Sequence, residues 1–216
     1  MYFLIFIFLI FSTYSTNNDK KNSSILFPIK NIVIENNIAI NLVELKTDLN
    51  FLIDSSLFFL DEAKISQIMS KYEFISNIQF KKKYPNTLKV KLYEKTPLGI
   101  QIINNKKFYI TEDNEKISFI DLKIYKDLPT IFGKNKNFNI FHNELKNNYF
   151  KVSEIKSFYF FDIGRWDIVL KSGKIIKLPE QNYLNLLPRI NLMLEDSDFS
   201  KYNIFDFRIK DQLILQ

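Results

Sequence analysis

His142 is the only histidine in the chain and cysteine is absent. An imidazole or thiolate metal centre would therefore have no second ligand of its own kind. The segment KNFNIFHNELKNNYF places His142 in a helical pattern with Phe138, Phe141, Leu145 and Tyr149, so it reads as a helix-face side chain. Two carboxylate pairs could in principle share acid and base roles. Asp61-Glu62 reads better as a helix N-terminus and Glu112-Asp113 as a turn. Four scattered glycines offer no phosphate loop, Walker-type lysine or nucleophile elbow. No motif supports a serine-lysine hydrolase. These observations predict no catalytic, cofactor-binding or metal residues, no small-molecule substrate, and a protein that is not an enzyme.

Binding must then carry the function. Trp166, the only tryptophan, shares a strand face with Ile168 and Leu170 and is expected to anchor a core. Arg165 points to the opposite face and is a candidate surface contact. From Tyr202 to Leu215, Ile204, Asp206 and Arg208 alternate with Phe205, Phe207 and Ile209, which predicts a strand with one apolar and one mixed face. The formal net charge of +6 raises the question of nucleic acid. The excess is thinly spread: residues 27–97 hold 10 basic and 8 acidic side chains, and residues 98–216 hold 18 and 15. Only Lys81-Lys82-Lys83 forms a run, and on a strand its middle member faces away from its neighbours. No nucleic-acid partner is expected.

The elements that position these residues are legible from periodicity. Phe27–Glu35 has strand character and ends at Asn36-Asn37. Asn41 is a candidate N-cap, with Glu44 three residues on and Leu42, Leu45 and Leu49 on one face. Asp61 is a candidate cap for a second helix carrying Ile65, Ile68, Met69 and Tyr72. Residues 77–99 then spell an antiparallel hairpin: Ile78 and Phe80, a turn at Tyr84-Pro85-Asn86-Thr87, and Leu88, Val90 and Leu92. The order over residues 27–97 is β-α-α-β-β. Residues 98–216 are expected to form a mostly antiparallel β domain, with helices near 138–150 and 180–194. Pro188 would kink or shorten the second of these.

This order, with its motifs, resembles the POTRA domain of the bacterial cell-division FtsQ family, called DivIB in Gram-positive bacteria. The carriers are the turn Pro85-Asn86-Thr87-Leu88 and the close Glu94-Lys95-Thr96-Pro97, where lysine stands for the usual arginine. Further on, the strand-turn-strand of residues 107–118, Leu128-Pro129-Thr130-Ile131-Phe132-Gly133, the strand and turn from Arg165 to Gly173, and Phe205-Asp206-Phe207-Arg208-Ile209 fall in the family's order. The resemblance covers roughly residues 27–212. It implies an α+β chain with an N-terminal membrane segment, a POTRA domain (27–97) and an FtsQ-type β domain (98–216), acting as a divisome scaffold of the inner membrane. It also implies FtsB, FtsL and other divisome proteins as partners, with no cofactor. FtsB would add a strand to the last edge, at Arg208, Ile209, Lys210, Asp211, Gln212 and Leu213, with Arg165 nearby. Isoleucine at 209 stands where the family has tyrosine. The competing reading, a POTRA-bearing component of outer-membrane assembly or secretion, would require a long β-barrel, and only about 119 residues follow Pro97.

The N-terminus reads as a membrane anchor over residues 1–14, followed by a linker over 15–26. Met1, Tyr2, Phe3, Leu4, Ile5, Phe6, Ile7, Phe8, Leu9, Ile10 and Phe11 are continuously apolar. As a helix they would rise about 16 Å, against a hydrocarbon core of roughly 30 Å. The expected reading is the outer half of a longer single-pass helix, with a complete short anchor and a cleaved signal as the alternatives. The family resemblance implies that the body of the chain is periplasmic, at the division septum.

Overall fold

The computed structural model describes residues 25–134 and 136–216. The anchor residues 1–14 and most of the linker therefore lie outside the described residues. Among those described, no helix is long and apolar enough to cross a membrane.

The first unit is a three-stranded sheet beneath two short helices. The strands β1 (Asn31–Glu35), β2 (Ile75–Lys83) and β3 (Thr87–Glu94) stand in the order β1-β3-β2. The hairpin pair is antiparallel and β1 joins β3 in parallel. Helix α1 (Leu42–Asp48) starts where Asn41 accepts a hydrogen bond from Val43 N–H at 3.0 Å. Helix α2 (Glu62–Met69) starts where Asp61 accepts from Lys64 N–H at 3.0 Å. Each side chain satisfies one of the amide donors that a helix start leaves unpaired. Leu45, Leu49, Ile65 and Met69 from the helical segments meet Leu88, Val90 and Leu92 of the central strand in one core. Strand β2 is the outer edge of this sheet, and Lys81 and Lys83 are exposed on it. Lys82 faces the other way and donates to the carbonyl oxygen of Phe58 at 3.0 Å, so the run makes no flat cationic patch.

At Pro97 the chain enters a second, nine-stranded sheet. It comprises β4 (Pro97–Ile103), β5 (Lys106–Thr111), β6 (Lys116–Ser118), β7 (Thr130–Phe132), β8 (Ile155–Phe161), β9 (Arg165–Leu170), β10 (Ile175–Lys177), β11 (Ile204–Asp206) and β12 (Ile214–Leu215). Their spatial order is β12-β11-β10-β9-β8-β7-β4-β5-β6. This sheet is mixed rather than simply antiparallel: β4–β7, β7–β8 and β10–β11 run parallel. Ile131, Phe158, Ile168, Ile176, Phe205 and Leu215 are successive register partners across it, forming one apolar row. Helices α3 (Phe138–Asn147) and α4 (Leu187–Glu195) cover that row through Phe138, Phe141, Leu145, Leu187 and Ile190.

Three local expectations need correction. Tyr149 does not join the core face of α3; the helix has ended, its φ is +60°, and the ring is 90% exposed. The helix expected over 180–194 is a 3₁₀ turn at Tyr183–Leu186 followed by α4. Pro188 shortens the α-helix by standing in its first turn, the second of the two expected effects, and does not kink it, because a proline there has no hydrogen bond to lose. The third concerns the C-terminal strand and is described with the site.

The face of the second sheet opposite α3 and α4 is not all open. Tyr109 and Ile117, register partners on β5 and β6, belong to the core of the first unit. Phe74 lies edge-on to Tyr109 at 5.6 Å and stacks with Tyr125 at 6.1 Å. The hairpin's closing residues fasten the same junction. Glu94 accepts from Ile38 N–H at 2.8 Å and Ala39 N–H at 2.7 Å, fixing the loop that leaves β1. Lys95 pairs with Glu115, and Glu112 N–H donates to Thr96 carbonyl at 3.1 Å.

Candidate partner-binding edge

The strand β9 sends alternate side chains to two different environments. Trp166 is a core anchor as expected, 5% exposed and stacked on Phe141 at 4.5 Å with the rings within 4° of parallel. Arg165 does lie on the other face, but it is not a free surface cation. Its side chain is 16% exposed, lies 4.3 Å over the ring of Phe161 and approaches Asp167 at 3.3 Å. Asp167 is buried, and that burial raises its pKa against the opposing pull of Arg165, Lys177 and Arg208.

Asp167, Lys177, Asp206 and Ile214 are successive register partners from β9 to β12. Charges therefore alternate from β9 to β11, a favourable cross-strand arrangement, and Ile214 carries the row onto the edge strand. Arg208 closes this row. Its Nε donates to both carboxylate oxygens of Asp206 at 2.8 and 2.9 Å, and its terminal nitrogen donates at 2.6 Å. Hydrogen bonding from Arg208 is the main reason Asp206 titrates below the usual carboxylate value.

Residues 202–215 do not form the single strand that the alternation predicts. Strand β11 stops at Asp206, and Phe207, with its N–H on Lys177 carbonyl at 2.9 Å, is the last residue tied to β10. The chain then turns back, with Asp211 at φ +60° and Gln212 N–H on Ile209 carbonyl at 3.2 Å, and returns as β12 antiparallel to β11. Arg208, Ile209, Lys210, Asp211, Gln212 and Leu213 thus lie in the loop before the edge strand, outside its ladder. Ile209 is 50% exposed and offers no ladder donor. Residues 207–212 instead form one wall of a cleft of about 700 Å³, whose other wall is Pro179–Asn182, Asn185, Leu186 and Arg189.

The edge itself falls on Ile214 and Leu215, two residues that the sequence reading left out of the site. Ile204 and Gln216 exchange both of their backbone hydrogen bonds, at 2.9 and 3.1 Å. In an antiparallel ladder the next pair, Phe205 and Leu215, is then a non-hydrogen-bonded one. Leu215 consequently directs its N–H and C=O away from β11, to the open side. The polar run Lys210-Asp211-Gln212 was the sequence signal for the turn that separates the two strands.

Residues 27–95 match the family model described as the POTRA domain, FtsQ-type. The cell division proteins FtsQ of Rickettsia typhi and Rickettsia prowazekii are each 27% identical to this chain over 205 residues. Those alignments take in 93% of this chain and 77% and 76% of the relatives. Over 93% of its length the chain is thus similar to these FtsQ cell-division proteins. Its FtsQ-type POTRA domain is the three-stranded unit with α1 and α2, and the mixed sheet follows it. The FtsQ of Bradyrhizobium diazoefficiens aligns at 28% identity over 166 residues, 75% of this chain and 48% of that protein. Among solved structures, the major extracytoplasmic domain of DivIB from Geobacillus stearothermophilus covers 50% of this chain and 98% of its own. Its TM-score of 0.30 and 10% identity are too low to carry weight.

One motif read in the sequence acquires a physical reason in this fold. Gly133, which closes the Leu-Pro-Thr-Ile-Phe-Gly run, has φ +95°, and a Cβ there would collide with the carbonyl of Phe160. Its own carbonyl accepts from Gln101 Nε2 at 2.9 Å. Among the described residues no group of acidic and histidine side chains could hold a metal ion. His142 sits half-buried on α3, where burial lowers its pKa.

Proposed function

We propose that this chain is a non-enzymatic scaffold of the division machinery. In this reading it is anchored in the inner membrane, with its body in the periplasm at the septum, and links early to late septal assembly. FtsB adds a strand along the outer edge of β12, and FtsL joins the same assembly. The observation that carries this is the open edge at Leu215, whose outward N–H and C=O offer a template for another strand. The alternating charges of Asp167, Lys177 and Asp206 run up to β11, one strand inside that edge, and Arg165 supports them from β9. Arg208, Lys210 and the cleft they line flank it and would receive side chains from the added segment. Alignment with FtsQ relatives over 93% of the chain supports the same reading.

Co-purification of the full chain from its own cells tests it. Recovery of the FtsB and FtsL homologues is expected, and their absence from a preparation that retains other division proteins would contradict the proposal.

A further inference from the structure

A cluster of exposed apolar side chains sits far along the chain from β12, at the corner where the described residues begin. Leu26, Phe27, Phe58, Phe59 and Tyr84 are 55%, 38%, 53%, 74% and 49% exposed. They are knitted together by backbone contacts, not scattered. Ser56 Oγ donates to Leu26 carbonyl at 2.8 Å, and Leu57 N–H donates to Phe27 carbonyl at 2.8 Å. The rings of Phe27 and Tyr84 meet edge to face at 4.9 Å, as do those of Phe58 and Phe59. A contiguous patch of this kind marks an interaction surface, because single exposed apolar side chains are ordinary and clusters are not.

We propose that this aromatic corner seats on the surface of the bilayer that holds the N-terminal segment. Three observations select that occupant. The patch begins at Ile25, the first described residue, and only 13 residues separate Ile25 from the apolar run ending at Phe11. Those residues reach at most about 50 Å when fully extended. The tether therefore keeps this corner, of all parts of the body, closest on average to the membrane, and a weak patch suffices when its target is held nearby. Second, the chemistry suits an interface: aromatic rings, one of them a tyrosine, prefer the headgroup boundary. Third, Lys82 borders the rings, with its ammonium on the carbonyl of Phe58 at 3.0 Å, and a lysine so placed can reach anionic headgroups. The acidic neighbours are engaged locally. Asp54 pairs with Lys30 and Asp61 caps α2, while Glu62 lies in the first turn of that helix. The seat would set the orientation of the whole body on the membrane, since Phe74, Tyr109 and Tyr125 join the two units at their junction.

The inference rests on the membrane-anchor part of the proposed function, and the experiment separates the two. The chain has no cysteine, so single-cysteine variants of the full chain can be labelled at one site. Phe59→Cys and, as a distant exposed reference, Leu192→Cys on α4 would carry an environment-sensitive fluorophore. Each is reconstituted into phosphatidylethanolamine–phosphatidylglycerol vesicles containing a nitroxide lipid, after flotation confirms association. The proposal expects the label at 59 to shift to the blue and lose most of its emission to the lipid-borne quencher, while the label at 192 reports water. Flotation with the 59 label in water overturns the seat and leaves the anchor standing. Shielding at 59 without lipid quenching assigns the patch to protein, a second copy included, and also overturns it. A chain that does not float with vesicles removes both readings.

Discussion

Replacing Glu94 tests the claim that the Glu-Lys-Thr-Pro close is a fastener and not merely the end of a strand. Its two carboxylate oxygens accept from Ile38 N–H at 2.8 Å and Ala39 N–H at 2.7 Å, across 56 and 55 residues of sequence. Those bonds hold the turn after β1, where Asn36 takes φ +64°. Hydrogen bonds to a charged partner contribute about 1.5–3 kcal/mol each. The Ile38 amide is exposed and regains water when the carboxylate is lost, so its bond counts for little; the Ala39 amide is partly buried and counts for most. Glu94→Ala should therefore cost roughly 2 kcal/mol in all. For a chain of this size that lowers the thermal midpoint by roughly 4–8 °C. Glu94→Gln keeps one neutral carbonyl acceptor and should lose about half as much. The assay is thermal and urea unfolding of the three proteins under one buffer. A Glu94→Ala change within about 0.5 kcal/mol, the scale of an ordinary surface substitution, would refute the reasoning.

Two glycines of the second sheet make a contrasting pair. Gly133→Ala meets both a left-handed φ and the Phe160 carbonyl, and should cost roughly 3 kcal/mol or more. Gly173→Ala, at φ +91° with open space around it, should cost only about 1 kcal/mol; equal midpoints for the two would contradict the packing argument. His142 is held below its ordinary value of 6.5, chiefly by burial, so the native state stays neutral where the unfolded chain takes up a proton. Stability from this site is present above 6.5 and falls as pH drops below it. Urea midpoints measured across that window should decline more steeply for the parent chain than for His142→Gln.

How much of this was legible in the residues varies with range. Asn41 and Asp61 were readable as caps because the donor they satisfy lies two or three residues away. The hairpin was readable because strand period and turn chemistry are both local. The parallel pairing of β4, β7 and β8 was not, since β7 between them is only 3 residues long and the partners lie about 30 residues apart in sequence, beyond any periodicity. Nor did alternation reveal that Tyr109 and Ile117 pack with the first unit, because a strand with both faces covered reads the same whichever layer covers it. The site shows the same limit. Period two runs through Ile204–Ile209 unbroken, yet the β10 ladder ends at Phe207 and Arg208 is held by Asp206. The alternation carried the expected strand past the turn, and the true edge moved to Ile214 and Leu215.

That edge bears the central claim, and Leu215→Pro addresses it most directly. The substitution removes an N–H that points away from β11, leaving the β11–β12 hydrogen bonds of Ile214 and Gln216 in place. Affinity for the FtsB homologue, measured by titration calorimetry with a variant of unchanged near-ultraviolet circular dichroism, should fall at least roughly tenfold as the partner's carbonyl goes unpaired. Unchanged affinity in that folded variant would contradict strand addition at β12.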